Sequence, residues 1–387
     1  MRTIFGRIPR LRWVEPESVV IRRFGAADDH GQVAIYSQIQ EPIGYVDRIS
    51  RSEILGWAAD LANPNRYLQV WLRLNGTLVA KACACMHRRD LGDRIGIGLH
   101  GFAFPTPKEL RQESTLKVEV LYEDGRLVGH TPAEVDMRAG LAGQIAFDDL
   151  GENELGLGEE DPCVLFMHIP KTAGTAIQST IRTALPRYRR LFVYPHPPGI
   201  PAEHLPYLSS EQFGWLRCVF GHFTFGVHRM FKRECKYATI LRHPVERSIS
   251  HCLHVIRNGS DPPNSKDLAA ALEENCSLVP DNIMVRMIAG LADNAEAVTT
   301  ETLRLAINNL KEHFAVVGIL GAYYQADEAF QDVFRLVRLQ PQPVEWLNRG
   351  GYDKRSVLSP KIERIVVERN RYDIALYQFA LNSRPMR

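Results

Sequence analysis

The chain has 387 residues, of which 45% are hydrophobic, 24% charged and 9% aromatic, a composition that supplies a buried core and excludes a disordered or fibrous protein. At about 100 to 200 residues per domain, this length predicts two or three domains. The net charge of +2, from 47 basic and 45 acidic side chains, excludes a nucleic-acid binder acting through its overall field, so any anion must be held by a local cluster.

Arg2, Arg7, Arg10 and Arg12 open the chain without an apolar stretch behind them, which argues against a secretory signal and for a cytoplasmic protein. Phe314 to Tyr324, the longest nearly uncharged apolar run, is shorter than the ~20 residues a bilayer span needs. Cys83, Cys85, Cys163, Cys218, Cys235, Cys252 and Cys276 are odd in number and lack paired C-x-x-C spacing, so they read as buried thiols and no metal site is expected.

Residues 1–40 read as an N-terminal extension, and 41–138 as a small all-β sandwich domain. Gln69 to Leu74 alternates, Asn75-Gly76 is a hairpin signal, and Thr77 to Cys85 continues the pattern. Leu116 to Tyr122 alternates again, and Asp124-Gly125 turns the chain into a strand at Arg126 to Gly129. Ser52 to Asp60 fits either a short helical turn capped by Ser50 or Ser52, or a strand. Trp57, Tyr67 and Trp71 suit either stacking on sugar rings or core packing.

Residues 139–161, rich in Gly, Asp and Glu, read as a solvated linker, and 162–387 as an α/β domain. Strands are predicted at Val164 to Ile169, Leu191 to Tyr194, Arg217 to Phe220, Tyr237 to Leu241 and Phe314 to Leu320. Helices are predicted at Thr175 to Leu185, Val245 to Ile256, Asp281 to Ala289, Thr300 to Lys311, Gln325 to Val337 and Pro360 to Ala380. That alternation predicts a mostly parallel sheet covered on both faces, with ligands beyond the carboxyl ends of its strands.

Three of those ends carry suggestive residues. At His168-Ile169-Pro170-Lys171-Thr172-Ala173-Gly174-Thr175, small residues and a lysine stand between a buried strand and a helix N-terminus. Free backbone N–H groups, a positive helix end and an ammonium suit phosphate or sulfate, although an ordinary turn with an exposed lysine has the same spacing. A Walker A loop places its lysine after the second glycine, whereas Lys171 precedes Gly174, which disfavours an ATP-dependent kinase.

Tyr237 to Leu241 leads into Arg242-His243-Pro244-Val245-Glu246-Arg247-Ser248-Ile249-Ser250, with Pro244 at the first helical position. Arg242 and Ser250 converge there as a second phosphate site, or Arg242 and Arg247 pair with Glu246 or the surface. The third strand end, Gly221-His222-Phe223, offers a histidine able to accept a proton near neutral pH.

Taken together, Phe166 to Thr175, Ile240 to Ser250 and Gly221-His222 resemble the nucleotide-dependent carbohydrate sulfotransferases, the family of the heparan and chondroitin enzymes and their bacterial relatives. Weaker matches are Asn282 with Arg286 and Glu368 to Tyr377, and the resemblance spans roughly Cys163 to Ala380. It implies a P-loop-NTPase-like parallel sheet flanked by helices and the donor 3'-phosphoadenosine 5'-phosphosulfate (PAPS), with no metal. By this resemblance Lys171, Thr172, Ala173, Gly174 and Thr175 hold the 5'-phosphosulfate, Arg242 and Ser250 hold the 3'-phosphate, and His222 deprotonates an acceptor hydroxyl. The acceptor implied is a carbohydrate or glycoconjugate. His243 departs from the family's usual aspartate.

Arg187, Arg189, Arg190 and the loop Arg349-Gly350-Gly351-Tyr352-Asp353-Lys354-Arg355 read either as solvated charge or as groups that close over the nucleotide or meet an anionic acceptor, the glycine pair making that loop, with Arg349 as a donor contact, the better of the two candidates. Gly44 to Asp47, Gly56-Trp57 and His100 to Phe104 resemble a module found with bacterial sugar-modifying enzymes. A different class also fits: a non-catalytic carbohydrate-binding or scaffold protein with a degenerate sulfotransferase fold.

Overall fold

The computed structural model describes residues 41–92, 94–107, 113–136, 161–257, 279–291, 296–320, 325–339 and 359–383. The predicted N-terminal extension, nearly all of the linker, Cys276 and the loop Arg349 to Arg355 lie outside them.

Eight strands come first: β1 (Pro42–Ile49), β2 (Glu53–Asp60), β3 (Leu68–Leu74), β4 (Thr77–Ala84), β5 (Met86–His87), β6 (Leu99–Pro105), β7 (Thr115–Tyr122) and β8 (Ala133–Asp136). They form two antiparallel four-stranded sheets, in the orders β1-β2-β6-β5 and β4-β3-β7-β8. Alternation along β3 buries Leu68, Val70, Leu72 and Leu74 against Ile54, Phe102 and Phe104 of the facing sheet, making the predicted sandwich. Asn75 and Gly76 both take positive φ, 47° and 82°, as the tight turn between β3 and β4 requires.

The open segment at Ser52 to Asp60 is a strand, β2, buried along its whole length and paired on both sides. Arg126 to Gly129 is corrected: it returns alongside β7 through the bonds of Tyr122 and Val128 but forms only isolated bridges, because Gly129 leaves that strand to bond the β1 backbone at Gly44 and Val46. Trp57 packs on Ala59, Leu91 and Ile95, which decides its role as core.

The second half opens with β9 (Cys163–Met167), α1 (Gly174–Ala184), β10 (Arg190–Val193), α2 (Ser210–Trp215), β11 (Cys218–Gly221), β12 (Cys235–Arg242) and α3 (Pro244–Arg257). It continues with α4 (Ile283–Ala289), α5 (Thr300–His313), β13 (Phe314–Leu320), α6 (Gln325–Leu336), α7 (Pro360–Arg369) and α8 (Arg371–Asn382). The five strands form one all-parallel sheet in the order β10-β11-β9-β12-β13.

Both faces of that sheet are covered, which is why its strands read as continuous apolar runs. Leu165 and Met167 of β9 join Val285 and Ile288 of α4, Leu310 of α5 and Leu376 of α8. Val164 and Phe166 point the other way, to Ile177 and Ile181 of α1 and Phe330 and Phe334 of α6. Phe166 stacks on Phe220 of β11 with centroids 4.7 Å apart. Burying one such side chain contributes roughly 1.5–3 kcal/mol.

Pro360 to Ala380, predicted as one helix, is two. Asn370 lies between α7 and α8 with φ −113° and ψ 25°, and its amide binds two ways: Nδ2 donates to Val366 O at 2.8 Å, and Oδ1 accepts from Asn282 N at 3.2 Å. Asn282 Oδ1 in turn accepts from Tyr372 N and Asp373 N. Asn282 thereby caps the first turn of α8, and Asn370 fixes the residue that precedes α4.

The sandwich docks on the second half through α2. Gln212 Oε1 accepts from Cys83 N at 2.7 Å while its Nε2 donates to Cys83 O, so one side chain serves the backbone of edge strand β4 as a neighbouring strand would. Ser209 Oγ donates to Lys81 O, Tyr67 Oη lies 2.7 Å from His204 Nδ1, and Trp215 packs edge-on to Phe104.

Candidate functional site

Because β11, β9 and β12 are adjacent and parallel, their carboxyl ends open at one place, the centre of the sheet. The chain passes from β9 into α1 through a tight loop. Thr172 is fully buried and its hydroxyl donates to Ile169 O at 2.8 Å, closing that loop. Lys171 and Ala173 hold left-handed φ values of 72° and 64°. Non-glycine residues there cost about 1–3 kcal/mol each, a strain that clusters at ligand clamps. Helix α1 has no side-chain cap at Ala173 and no acidic residue in its first turn, so its positive end faces the loop. Gly174 is required by close approach: a Cβ there would stand 2.3 Å from the His168 ring.

At the end of β11, Gly221 has φ 154°, and a Cβ would fall 1.9 Å from Val193 O. Only glycine lets β10 and β11 close this tightly, and the next residue, His222, is pinned by its N–H to Val193 O at 2.8 Å. Its Nδ1 donates to His168 O at 2.6 Å, leaving Nε2 as the accepting nitrogen. Burial holds its pKa below 6.5, a shift partly offset by that carbonyl, so the ring is neutral at pH 7.

At the end of β12, Arg242 Nη1 donates to Lys171 O at 3.1 Å, tying the two strand ends together. Its other nitrogens lie 3.4 Å from Glu246 Oε2. The predicted alternative of pairing with Glu246 is therefore realised for Arg242. Ser250 stands one turn beyond Glu246 on the same face of α3.

Arg247 does neither of the things foreseen for it. It is fully buried, donates from Nη2 to Ser248 Oγ at 2.9 Å, and leaves Nε and Nη1 without partners. Burial pushes its pKa down to about 10, while the Asp373 carboxylate acts to raise it. Asp373, itself pushed up to about 6 by burial, accepts from the first N–H groups of α4, Met284 and Val285.

Three residues of this neighbourhood escaped the sequence reading. His168 carries Tyr194 Oη on its Nδ1 at 2.9 Å and stacks on His222 with centroids 4.8 Å apart. His251, one turn beyond Arg247, is pushed down to about 4 by burial and by the charges of Arg247 and Lys171. Its Nδ1 is buried without a partner. For two of them the signal was proximity to the strand-end motifs, His168 three residues before Lys171 and His251 next to Ser250.

Other predicted cations lie elsewhere. Arg189 is buried with its guanidinium over the Tyr188 ring, and Arg190 donates to the carbonyls of Arg182 and Leu185 at the end of α1, so both are structural. Arg286 is buried against Asp281 and Glu296 O, and Asn282 belongs to the interlock described above. His243 is exposed, edge-on to Tyr377. Arg349 lies outside the described residues, among which no cluster of three or more His, Cys, Asp or Glu is arranged to hold a metal. No described helix is long and apolar enough to cross a membrane.

No family model and no curated protein matches the chain. Among solved structures it is similar to the mouse sulfotransferase SULT7A1 complexed with PAP, at 16% identity over 56% of this chain and 70% of that one, with a TM-score of 0.26. At that score the likeness carries no weight for fold or activity.

Proposed function

We propose that this chain transfers a sulfuryl group from PAPS to a hydroxyl of a carbohydrate or glycoconjugate. The observation that carries the reading is the convergence at one sheet centre of a strained loop at a helix N-terminus, Arg242 bonded to that loop, and a neutral histidine with Nδ1 committed and Nε2 accepting. The motif resemblance supports the same donor.

Lys171 and the N–H groups from Thr172 to Thr175 bind the 5'-phosphosulfate, and the ammonium stabilises charge moving onto the bridging oxygen. Arg242 and Ser250 take the 3'-phosphate, Arg242 exchanging Glu246 for phosphate oxygens. His222 Nε2 accepts the acceptor's proton as its oxygen attacks sulfur in line with the departing phosphate. This chemistry asks the protein chiefly for alignment and charge stabilisation. The predicted P-loop-like α/β domain at 162–387 carries this site, and the sandwich at 41–138 is its accessory domain.

Calorimetry with the product nucleotide PAP, alongside ATP and AMP, tests the donor site without an acceptor. PAP is expected to bind selectively, and Arg242→Ala to weaken it roughly 10- to 100-fold, the worth of a charge-assisted hydrogen bond. Equal affinity for ATP, or no binding, overturns the donor assignment. One observation favours the non-catalytic alternative: Arg242 is already occupied by Glu246. PAP binding without transfer to any acceptor in a broad panel would decide for it.

A further inference from the structure

Tyr194, the residue after β10, is absorbed by none of the roles above, yet it touches both histidines of the site. Its hydroxyl lies 2.9 Å from His168 Nδ1, and its ring stands edge-on to His222 at 4.7 Å. Burial lifts the phenol far above its ordinary pKa, so it remains an O–H donor throughout the working range. A phenol O–H is a stronger acid than an imidazole N–H and an imidazole nitrogen the stronger base, so we take Tyr194 as the donor, which makes Nδ1 of His168 the acceptor and places that ring's proton on Nε2.

His168 is consequently a fixed plate. Its tip packs on Gly174, where even a methyl group would collide with it, and its face stacks on His222 with an interplanar angle of 23°. Its backbone receives the His222 Nδ1–H, and its own N–H donates to Gly221 O at 2.8 Å. The neighbouring charges act on the pair in one direction. Burial, His222 and Lys171 all oppose a proton on His168, and burial opposes one on His222. The positive forms of Arg247, Lys171, His254 and His222 in turn oppose a proton on His251, and Lys171 opposes one on His254.

We infer that Tyr194 and His168 are positioning residues: the phenol locks the His168 ring, and that ring holds His222 with its Nδ1 on the carbonyl and its Nε2 free to accept a proton. The role rests on the reading of His222 as the base, but its structural content does not depend on any substrate.

The test uses the full chain with 15N-labelled histidine, comparing wild type, Tyr194→Phe, His168→Phe and His168→Ala. Long-range 1H–15N spectra are expected to show His222 as the Nδ1–H tautomer and His168 as the Nε2–H tautomer in the wild type. In Tyr194→Phe, which removes a single oxygen, the His168 tautomer is expected to become mixed. The His222 Nδ1 proton should then exchange roughly fivefold faster, the effect of losing one buried hydrogen bond. His168→Phe keeps an aromatic face and should preserve the His222 tautomer better than His168→Ala. Unchanged tautomers and exchange in Tyr194→Phe overturn the inference. PAP affinity, measured on wild type and Tyr194→Phe, is expected to stay within about twofold, since the Tyr194 ring reaches neither phosphate group in this scheme. Absence of PAP binding to the wild type would defeat the sulfotransferase reading while the ring spectra still decide this one.

Discussion

A histidine serves as a base only when neutral, and at His222 burial supplies that condition while the His168 carbonyl selects the tautomer. The sign follows directly: a pKa held below 6.5 keeps the ring unprotonated at neutral pH, so transfer should rise with pH along a limb below 6.5 and level above it. A limb above 6.5 in the pH profile of kcat/KM would contradict this. His222→Ala should lower turnover by about 10²- to 10⁴-fold with PAP affinity nearly unchanged. Lys171→Ala should cost about 10²- to 10³-fold and weaken the nucleotide as well, because the ammonium meets the donor itself. Near-normal turnover in either variant would remove that residue from the mechanism. The places of His222 and Lys171 were legible because His222 follows an apolar strand through a glycine and Lys171 lies in a turn of small residues between a strand and a helix N-terminus. His168, Tyr194 and His251 were not, since their significance lies in what stands beside them in space, and a ring's neighbours are not written in its flanking sequence.

Elements were legible wherever burial had one period. The strands β9, β12 and β13 are apolar because both faces are covered, and β3 and β7 alternate across the sandwich. The reading failed at Asn370, where Pro360 to Ala380 has an uninterrupted helical pattern but a side-chain amide binds Val366 O and the backbone of Asn282. Nothing local announces that partner 88 residues away. Asn370→Ala would leave the buried Asn282 N–H without an acceptor and should cost about 1–3 kcal/mol in urea denaturation. An unchanged midpoint would show that water replaces the interlock. Arg189 and Arg190 teach the same lesson, since a basic run that looks solvated instead stacks on Tyr188 and closes the C-terminal end of α1.

Across the whole molecule, the sandwich and the parallel sheet are joined by Gln212, whose amide satisfies both backbone groups of Cys83. Gln212→Ala should destabilise by roughly 2–4 kcal/mol, because two buried groups lose their partners together. Scanning calorimetry is the measurement, and a single unshifted transition would count against the clamp. The site's histidines set the response to acid. His251 has a folded pKa of about 4 against 6.5 unfolded, so the unfolded chain binds the extra proton between those values and stability falls as pH drops through that window. From pH 7.5 to 5.5 that amounts to about 1 kcal/mol for this residue. His251→Gln should flatten the dependence by that amount, as chemical denaturation at the two pH values will show.

By itself the sequence determined the alternation of strand and helix, the sandwich hairpin at Asn75-Gly76, and the two strand-end motifs around Lys171 and Arg242, because each is a local pattern of apolar period, turn chemistry or spacing. Only the tertiary structure decided that β11, β9 and β12 lie side by side, so that Gly221-His222, the Lys171 loop and Arg242 meet. It alone decided that Arg242 shares Glu246, that Arg247 is buried, and that the rings of Tyr194 and His168 stand against His222. Strand order and side-chain partnership are set by packing between segments far apart in the chain, where the energy lies in contacts that no single segment contains.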